Sequence, residues 1–524
     1  MAASELGFLE LLRWAWRQLT SMRTALVLLL LLALAAIPGS VIPQSNTDAF
    51  AVQRWQDEHP KLTPIYEKLE LFSVFDSVWF SAIYLLLVVS LVGCILPRTR
   101  VYWRAFRAKP PAAPRNLARL PHHATYETTE SADELLATAE RVLRKRRYRV
   151  VVDAEAGTVS AEKGHLREAG NLLFHLAILV VLGGFATGSL WGYQGGVVVA
   201  QGSGFSNTIT QYDDFVPGSL LQASDLEPFH FEFDKFDIEW LESGPRQGMA
   251  QKFAAHLRYT EKPGAEEKKY ALRVNHPLSI GGTDLFLIGH GYAPHITVRD
   301  ANGDIAASGP AVFLPEDQAS FRSFGVVKAS AAKPEPIGLE GLLFPTFLMI
   351  DGTPMSIFGD DRNPFISMQA YVGDLGWSKG SQSVYVLDKS GMKLLEKPDG
   401  GLFRVDLCAA KINGTPNTSC KNSTVKLPDG AGSVTFDDIT PWVRIQISRT
   451  PGKGIALGGV VLALIGLLGS LFIRPRRVWV RVRRRDDAET LVEVGGLERS
   501  NGGDATDEID EIVTQLKGRG TEDS

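Results

Sequence analysis

Cysteine is scarce: the 524 residues hold three, at positions 94, 408 and 420, and no two are spaced as CxxC. Without that pair and its helix there is little support for a thiol oxidoreductase. No HExxH or other close metal-ligand spacing occurs, and there is no phosphate-cradling glycine loop, nucleophile elbow or catalytic triad. Neither sign of charge is in excess. Lys+Arg number 55 and Asp+Glu 59, for a net charge of −4, which gives no footing to a general nucleic-acid binder. With 45% hydrophobic and 22% charged residues the chain is neither low-complexity nor disordered as a whole.

Long apolar runs are what the chain does have. The mean hydropathy of −0.01 is high for a soluble protein, and the apolar residues concentrate in four runs of about 18–20 residues, each roughly 30 Å of helix and one hydrocarbon thickness. They define spans at 24–42, 77–96, 168–191 and 454–473. The first run has signal-peptide features near its end. Its length, and the Trp14, Trp16 and three arginines ahead of it, favour an uncleaved anchor.

Charge orients these spans. Seven basic residues and no acid lie between Arg98 and Arg119, and seven arginines between Arg474 and Arg485, whereas the segment between the first two spans has three basic and six acidic residues. The positive-inside rule then places both termini in the cytoplasm, as 1–23 and 474–524, together with segment 97–167; segments 43–76 and 192–453 face outside. The basic runs read as a topology signal in contact with anionic lipid.

Segment 97–167 opens with a Pro-rich stretch. An amphipathic helix is expected near Ala132 to Arg146, then short strands at Tyr148 to Val152 and Thr158 to Ala161, as a small cytoplasmic α+β module. Segment 192–453 reads as β throughout. Phe229, Phe231 and Phe233 alternate with polar residues, and Phe236, Ile238 and Trp240 resume the alternation one residue out of phase, so a bulge is expected near Asp234-Lys235. Turn signals at Gly281-Gly282, Asn302-Gly303, Ser390-Gly391 and Asp429-Gly430 divide the runs. The expected fold class is a membrane protein: four transmembrane helices, a large extracytoplasmic β-rich, sandwich-like domain in two subdomains, and the small cytoplasmic module. The tail 486–524 carries twelve acidic and three basic residues and is expected to be disordered, apart from a short helix near Glu508 to Leu516.

His175 is the most informative residue, an ionisable group inside the third span, where such groups are costly and mark function. Helical spacing sets Glu168, Asn171 and His175 on one face, with His175 roughly 10 Å inside the inner edge. A neutral imidazole there suits an axial position on haem iron; a hydrogen bond to a neighbouring helix is the structural alternative. One histidine cannot fill both axial positions, so a second would come from a partner or another copy. His230, His256, His276, His290 and His295 read as surface or turn histidines of the β domain, and His122-His123 as interfacial. Cys94 reads as a small buried residue. Cys408 and Cys420 could close a loop as a disulfide in an oxidising compartment or act as a reactive thiol pair. The sequons at Asn413, Asn417 and Asn422 read as coincidence in a Ser/Thr-rich loop. Gly454, Gly458, Gly466 and Ser470 allow close packing of the fourth span.

Four features together resemble the ResB family, called Ccs1 in plastids, of the system II cytochrome c biogenesis machinery. They are Ile37-Pro38-Gly39-Ser40 after the anchor; Lys163-Gly164-His165-Leu166-Arg167-Glu168-Ala169-Gly170 leading to His175; Val274-Asn275-His276-Pro277-Leu278 followed by Ile288-Gly289-His290-Gly291-Tyr292-Ala293-Pro294; and Trp442-Val443-Arg444-Ile445-Gln446-Ile447-Ser448 with Val478-Trp479-Val480. The resemblance covers residues 10–485 and implies a subunit of the cytochrome c synthetase complex in the bacterial plasma membrane. Such a subunit pairs with a ResC/CcsA-type membrane protein and helps move haem b to the outer face for attachment to apocytochrome c. His175 would be the haem axial ligand at the entry side, and the chain a non-catalytic or co-catalytic subunit. A membrane-anchored β-domain scaffold or sensor without haem is the alternative.

Overall fold

The structure, a computed structural model, describes residues 7–45, 49–317, 319–376, 385–485, 489–498 and 506–518. The chain divides into two compact units, Met1–Ala186 with Gly452–Ser524, and Thr187–Pro451. Its helices are α1 (Phe8–Leu19), α2 (Met22–Val41), α3 (Ala49–Glu58), α4 (Thr63–Lys68), α5 (Val78–Arg107), α6 (Ala132–Lys145), α7 (Leu166–Trp191), α8 (Lys453–Phe472) and α9 (Thr506–Lys517). Helices α2, α5, α7 and α8 are long and apolar enough to cross a membrane, as the hydropathy requires.

In the first unit α2 pairs with α5. Serine and cysteine hydroxyl and thiol groups on α5 satisfy main-chain carbonyls left open where α1 breaks into α2: Ser90 donates to the Leu19 carbonyl at 2.6 Å and Cys94 to that of Thr20 at 2.9 Å. Cys94 is thus a donor at a helix break as well as a small residue. Helix α5 does not stop at residue 96. It runs through Pro97 for a further ten residues to Arg107, since a membrane helix can re-satisfy the groups a proline frees.

Helices α7 and α8 meet along small residues. A Cβ added at Gly466 would lie 2.5 Å from the Phe174 nitrogen, and one at Gly170 would lie 2.7 Å from that of Ser470; Gly184 approaches Ala456, and Gly459 approaches Val181, at similar range. Of the small residues expected to serve packing, Gly466 and Ser470 lie at this contact, whereas Gly454 and Gly458 face open space.

The chain around α6 folds as an α+β module, but a larger one than segment 97–167 alone. Its antiparallel sheet runs in the order His122–Thr128, Thr490–Glu498, Arg476–Arg484, Thr158–Lys163, Arg149–Asp153. Helices α6 and α9 cover one face, burying Leu135, Ala139 and Leu143 with Ile509, Ile512 and Leu516. On the other face Trp479 donates to the Pro111 carbonyl at 2.9 Å and Arg481 to that of Arg115 at 3.0 Å, which anchors the Pro-rich stretch. The disorder expected for 486–524 therefore does not hold at 490–498, whereas the short helix expected near Glu508 to Leu516 is present as α9. The apolar i, i+3, i+4, i+7 set of α9 finds a core that outweighs the acidic composition, and Arg146 meets Glu511 at 2.9 Å. Residues 486–488, 499–505 and 519–524 lie outside the described residues. His122, expected at the membrane interface, sits in this sheet and meets the Thr506 hydroxyl at 2.8 Å. Because strands from 122–163 and 476–498 share one sheet, those segments stand on the same side of any membrane that α5, α7 and α8 cross.

The second unit is β-rich and sandwich-like, with two cores. Two strands of 17 residues, Thr283–Arg299 and Ser433–Arg449, pair antiparallel along their whole length and run through both halves. One half faces them with the sheet of Gly204–Ser206, His230–Trp240, Ala250–Thr260 and Lys268–Arg273, around Phe231, Phe233, Leu285 and Ile445. The other half uses a six-stranded sheet that includes Ile337–Phe344 and Phe365–Gly373, around Ile296, Val298, Leu339 and Phe436. Asp234 is the unpaired residue of a bulge, where the phase slip in the sequence puts it. The two long strands also shift register between Leu287 and Gly289 and between His295 and Ile296.

Candidate functional site

The sequence around His175 is first of all a joint. Gly164 turns with a φ of +78°, and a Cβ there would sit 2.2 Å from the Arg474 carbonyl oxygen, so the turn from strand into α7 needs glycine. His165 packs against Phe106, ring centroids 5.6 Å apart. Arg167 donates through Nε to the Ser470 carbonyl at 3.2 Å. Gly170 then lets α7 touch α8.

At about 100° per residue, His175 lies about 140° round α7 from Gly170. Glu168, Asn171 and His175 therefore form a polar stripe on the face turned away from α8. His175 is half-buried, and Phe174 packs edge-on at 5.4 Å between ring centroids. The His175 Nδ1 lies 2.8 Å from the Asn171 carbonyl oxygen. A carbonyl can only accept, so Nδ1 carries the hydrogen, and it is Nε2 that holds the lone pair of the neutral ring. Among the described residues Nε2 has no hydrogen-bond partner. The bond back to the helix fixes ring and tautomer as a metal-ligating imidazole requires. In the sequence His175 is the one histidine within the four apolar helices.

The histidines of the β-rich unit do not converge. His230 meets the Ser206 hydroxyl at 3.0 Å, His256 the Asp237 carboxylate at 2.7 Å and His295 the Thr440 hydroxyl at 3.1 Å; His276 sits in the turn beside Arg273. His290 is not in a turn: it lies within Thr283–Arg299, is half-buried, and borders a cleft of about 850 Å³. Sequence reasoning missed this, because the walls come from distant segments and no local spacing announces them.

Cys408 and Cys420 are bonded, S–S 2.01 Å. The loop they close carries Asn413, whose amide donates to Asp361 at 2.8 Å on the border of the same cleft. The Asn413 and Asn417 amides are thus both engaged internally, Asn417 with the Ala409 carbonyl at 3.0 Å. Burial, and then the neighbouring Asp360 carboxylate, push Asp361 up to about 6 against the Asn413 hydrogen bond. A carboxyl whose pKa is raised on folding stabilises the fold fully below its unfolded pKa and loses that contribution as pH rises through the folded value. Asp361→Asn should therefore stabilise the β domain at pH 7.5 by on the order of 2–3 kcal/mol, a gain that disappears below about pH 4. Denaturant unfolding followed by tryptophan fluorescence at both pH values checks this.

Residues 22–510 match the model of the ResB-like family. Cytochrome c biogenesis protein CcsB of Synechococcus sp. (strain JA-2-3B'a(2-13)) is 29% identical over 274 residues, 51% of this chain and 55% of that protein. The CcsB protein of strain JA-3-3Ab is 30% identical over 274 residues, 51% and 53% respectively, and that of Crocosphaera subtropica is 28% identical over 298 residues, 54% and 62%. The chain spans about half the length of the curated relatives it matches.

Proposed function

The chain belongs to the ResB-like family, and from that premise we propose that it is a subunit of a cytochrome c maturation complex, helping to carry haem across the membrane and present it for covalent attachment to apocytochrome c. The observation that carries this reading is the imidazole of His175, with Nδ1 tied to its own helix and Nε2 bare on the face of α7 turned from α8. That is half of a bis-histidine site. The other half comes from a second membrane protein of the ResC/CcsA type, docked on the polar stripe.

On this reading both termini and the α+β module are cytoplasmic, and the β domain faces outward in the bacterial plasma membrane. The charge distribution supports that sidedness. The final step adds each cysteine S–H of apocytochrome c across a haem vinyl group: sulfur bonds one vinyl carbon, hydrogen the other, and no electrons are gained or lost. It needs reduced thiols and a positioned haem more than acid–base groups, which suits a chain whose contribution is to hold and orient.

The test is co-expression with the partner, purification of the complex and an absorption spectrum. A b-type haem spectrum that travels with the complex, and loss of holocytochrome c when this chain is omitted, are the expected results. A haem-free complex together with an undiminished cytochrome yield would overturn the reading.

A further inference from the structure

Helix α1 is two-sided. At about 100° per residue, Phe8, Leu12, Trp16 and Leu19 fall on one arc, and Glu10, Arg13 and Arg17 on the opposite one. The apolar arc is open: Phe8 is 75% exposed, Leu12 50% and Trp16 51%. Helix α5 has the same character past Pro97. Its last turns carry Arg98, Arg100, Arg104 and Arg107 and no acid, with Val101 62% and Trp103 58% exposed.

The two segments stand together. A Cβ added at Gly93 of α5 would strike the Thr20 side chain, just past α1, and lie 3.5 Å from the Trp16 ring. Arg98 meets the Met22 sulfur at 2.9 Å, next in sequence to Arg23. Cations thus gather here without anions. Among the described residues, none of Arg13, Arg17, Arg23, Arg98, Arg100 and Arg104 meets a carboxylate. The exposed arginines of the β-rich unit are answered differently: Arg258 touches three carboxylates and Arg362 two. In water the patch would repel itself and leave large apolar rings wet.

What covers the patch follows from where it lies. Helix α1 passes into span α2 through Thr20 and Ser21 alone, and the basic stretch of α5 is the end of a second span. The patch is therefore continuous with the apolar surface of both spans, at the depth where hydrocarbon gives way to headgroups. It belongs to the side of the α+β module, since the Phe106 carbonyl accepts from Arg149 at 2.8 Å. Helices that lie in that layer carry arginine or lysine on the polar face and Trp, Phe or Leu on the other. The guanidinium fork fits a phosphate with two hydrogen bonds. A soluble polyanion would answer the charge but not cover Phe8 and Trp16.

We propose that α1 lies in the surface of the leaflet on the module's side and, with the end of α5, holds anionic phospholipid, its apolar arc among the acyl chains and the arginines on lipid phosphates. The proposal goes beyond the haem-handling reading and does not depend on it.

The test is titration of the full-length protein in detergent with phosphatidylglycerol or phosphatidylcholine, followed by native mass spectrometry. Phosphatidylglycerol should bind at least about tenfold more tightly, and Arg13→Gln with Arg17→Gln should remove most of that preference, an arginine at an anionic surface being worth about fivefold. Arg13→Lys with Arg17→Lys keeps the charge and should keep the preference, which guards against misfolding of the glutamine pair. Arg141→Gln with Arg484→Gln, at exposed positions of the module, should match the parent. In nanodiscs, quenching of tryptophan emission by brominated phosphatidylglycerol should fall on Trp14→Phe with Trp16→Phe. Equal binding of the two lipids by the parent, an undiminished preference in the Arg13→Gln, Arg17→Gln pair, or quenching untouched by the two tryptophan changes would overturn the assignment. So would displacement of the lipid by inorganic phosphate, which would make the arginines a site for a free ion.

Discussion

His175→Ala should remove the b-type haem spectrum from the complex with its partner and lower the yield of holocytochrome c by at least about tenfold. Nδ1 is committed to the Asn171 carbonyl at 2.8 Å, so one nitrogen is left for iron and alanine supplies none. The bond is to the main chain, so Asn171→Leu should leave the tautomer unchanged and the haem in place. Exogenous imidazole, small enough to enter the vacated space, should restore part of the spectrum to His175→Ala but change nothing in the parent. Spectra of the purified complexes and haem staining of cytochrome c measure both quantities. Unchanged occupancy and unchanged yield in His175→Ala would remove the role assigned here.

The second large effect is expected at the helix seam. Gly466→Leu brings a side chain to a point where its first carbon already lies 2.5 Å from the Phe174 nitrogen and 2.7 Å from the Gly170 carbonyl oxygen. Those are main-chain atoms and cannot swing away. Overpacking usually costs about 1–3 kcal/mol where side chains yield, and here whole helices must part. The same displacement pulls on the joint at Gly164, which abuts Arg474 within the module. Gly466→Leu should thus accumulate poorly and be digested rapidly in detergent, whereas Gly458→Leu, on the same helix but with open space around it, should match the parent. Limited proteolysis and thermal unfolding of the two variants side by side make the comparison; equal resistance would show that the seam tolerates separation.

The sequence was most legible where one physical pressure dominates. Four apolar runs must become helices in lipid, and a one-residue slip in the Phe231–Phe233–Phe236 alternation must be absorbed by a bulge, found at Asp234. It was least legible where partners are distant. The helix near Glu508 to Leu516 was legible from its period, but twelve acids in 486–524 hid that it packs, and only the core shared with α6 shows its use. Nor does any local pattern bring Phe253, His290 and Phe321 together. The family-bearing motifs prove to be largely joinery. Gly291 is bare because the Trp442 ring occupies the place of its Cβ, 2.5 Å away; Trp442 in turn donates to Phe313, and Trp479 holds the Pro-rich stretch. His175 is not explained in that way: its ring is held by its own helix and, among the described residues, stacks on no ring of a neighbouring element.

The order of strands in the module has a consequence for biosynthesis. Among the described residues, strand His122–Thr128 pairs only with Thr490–Glu498, and at about 5–20 residues per second the roughly 370 residues between His122 and its partner Gly496 occupy the ribosome for on the order of 20–70 s. Throughout that interval the strand is an open edge, a template for wrong pairing. Its partner strand follows the last of the four apolar helices in the sequence, so the edge is covered only after all four have been made.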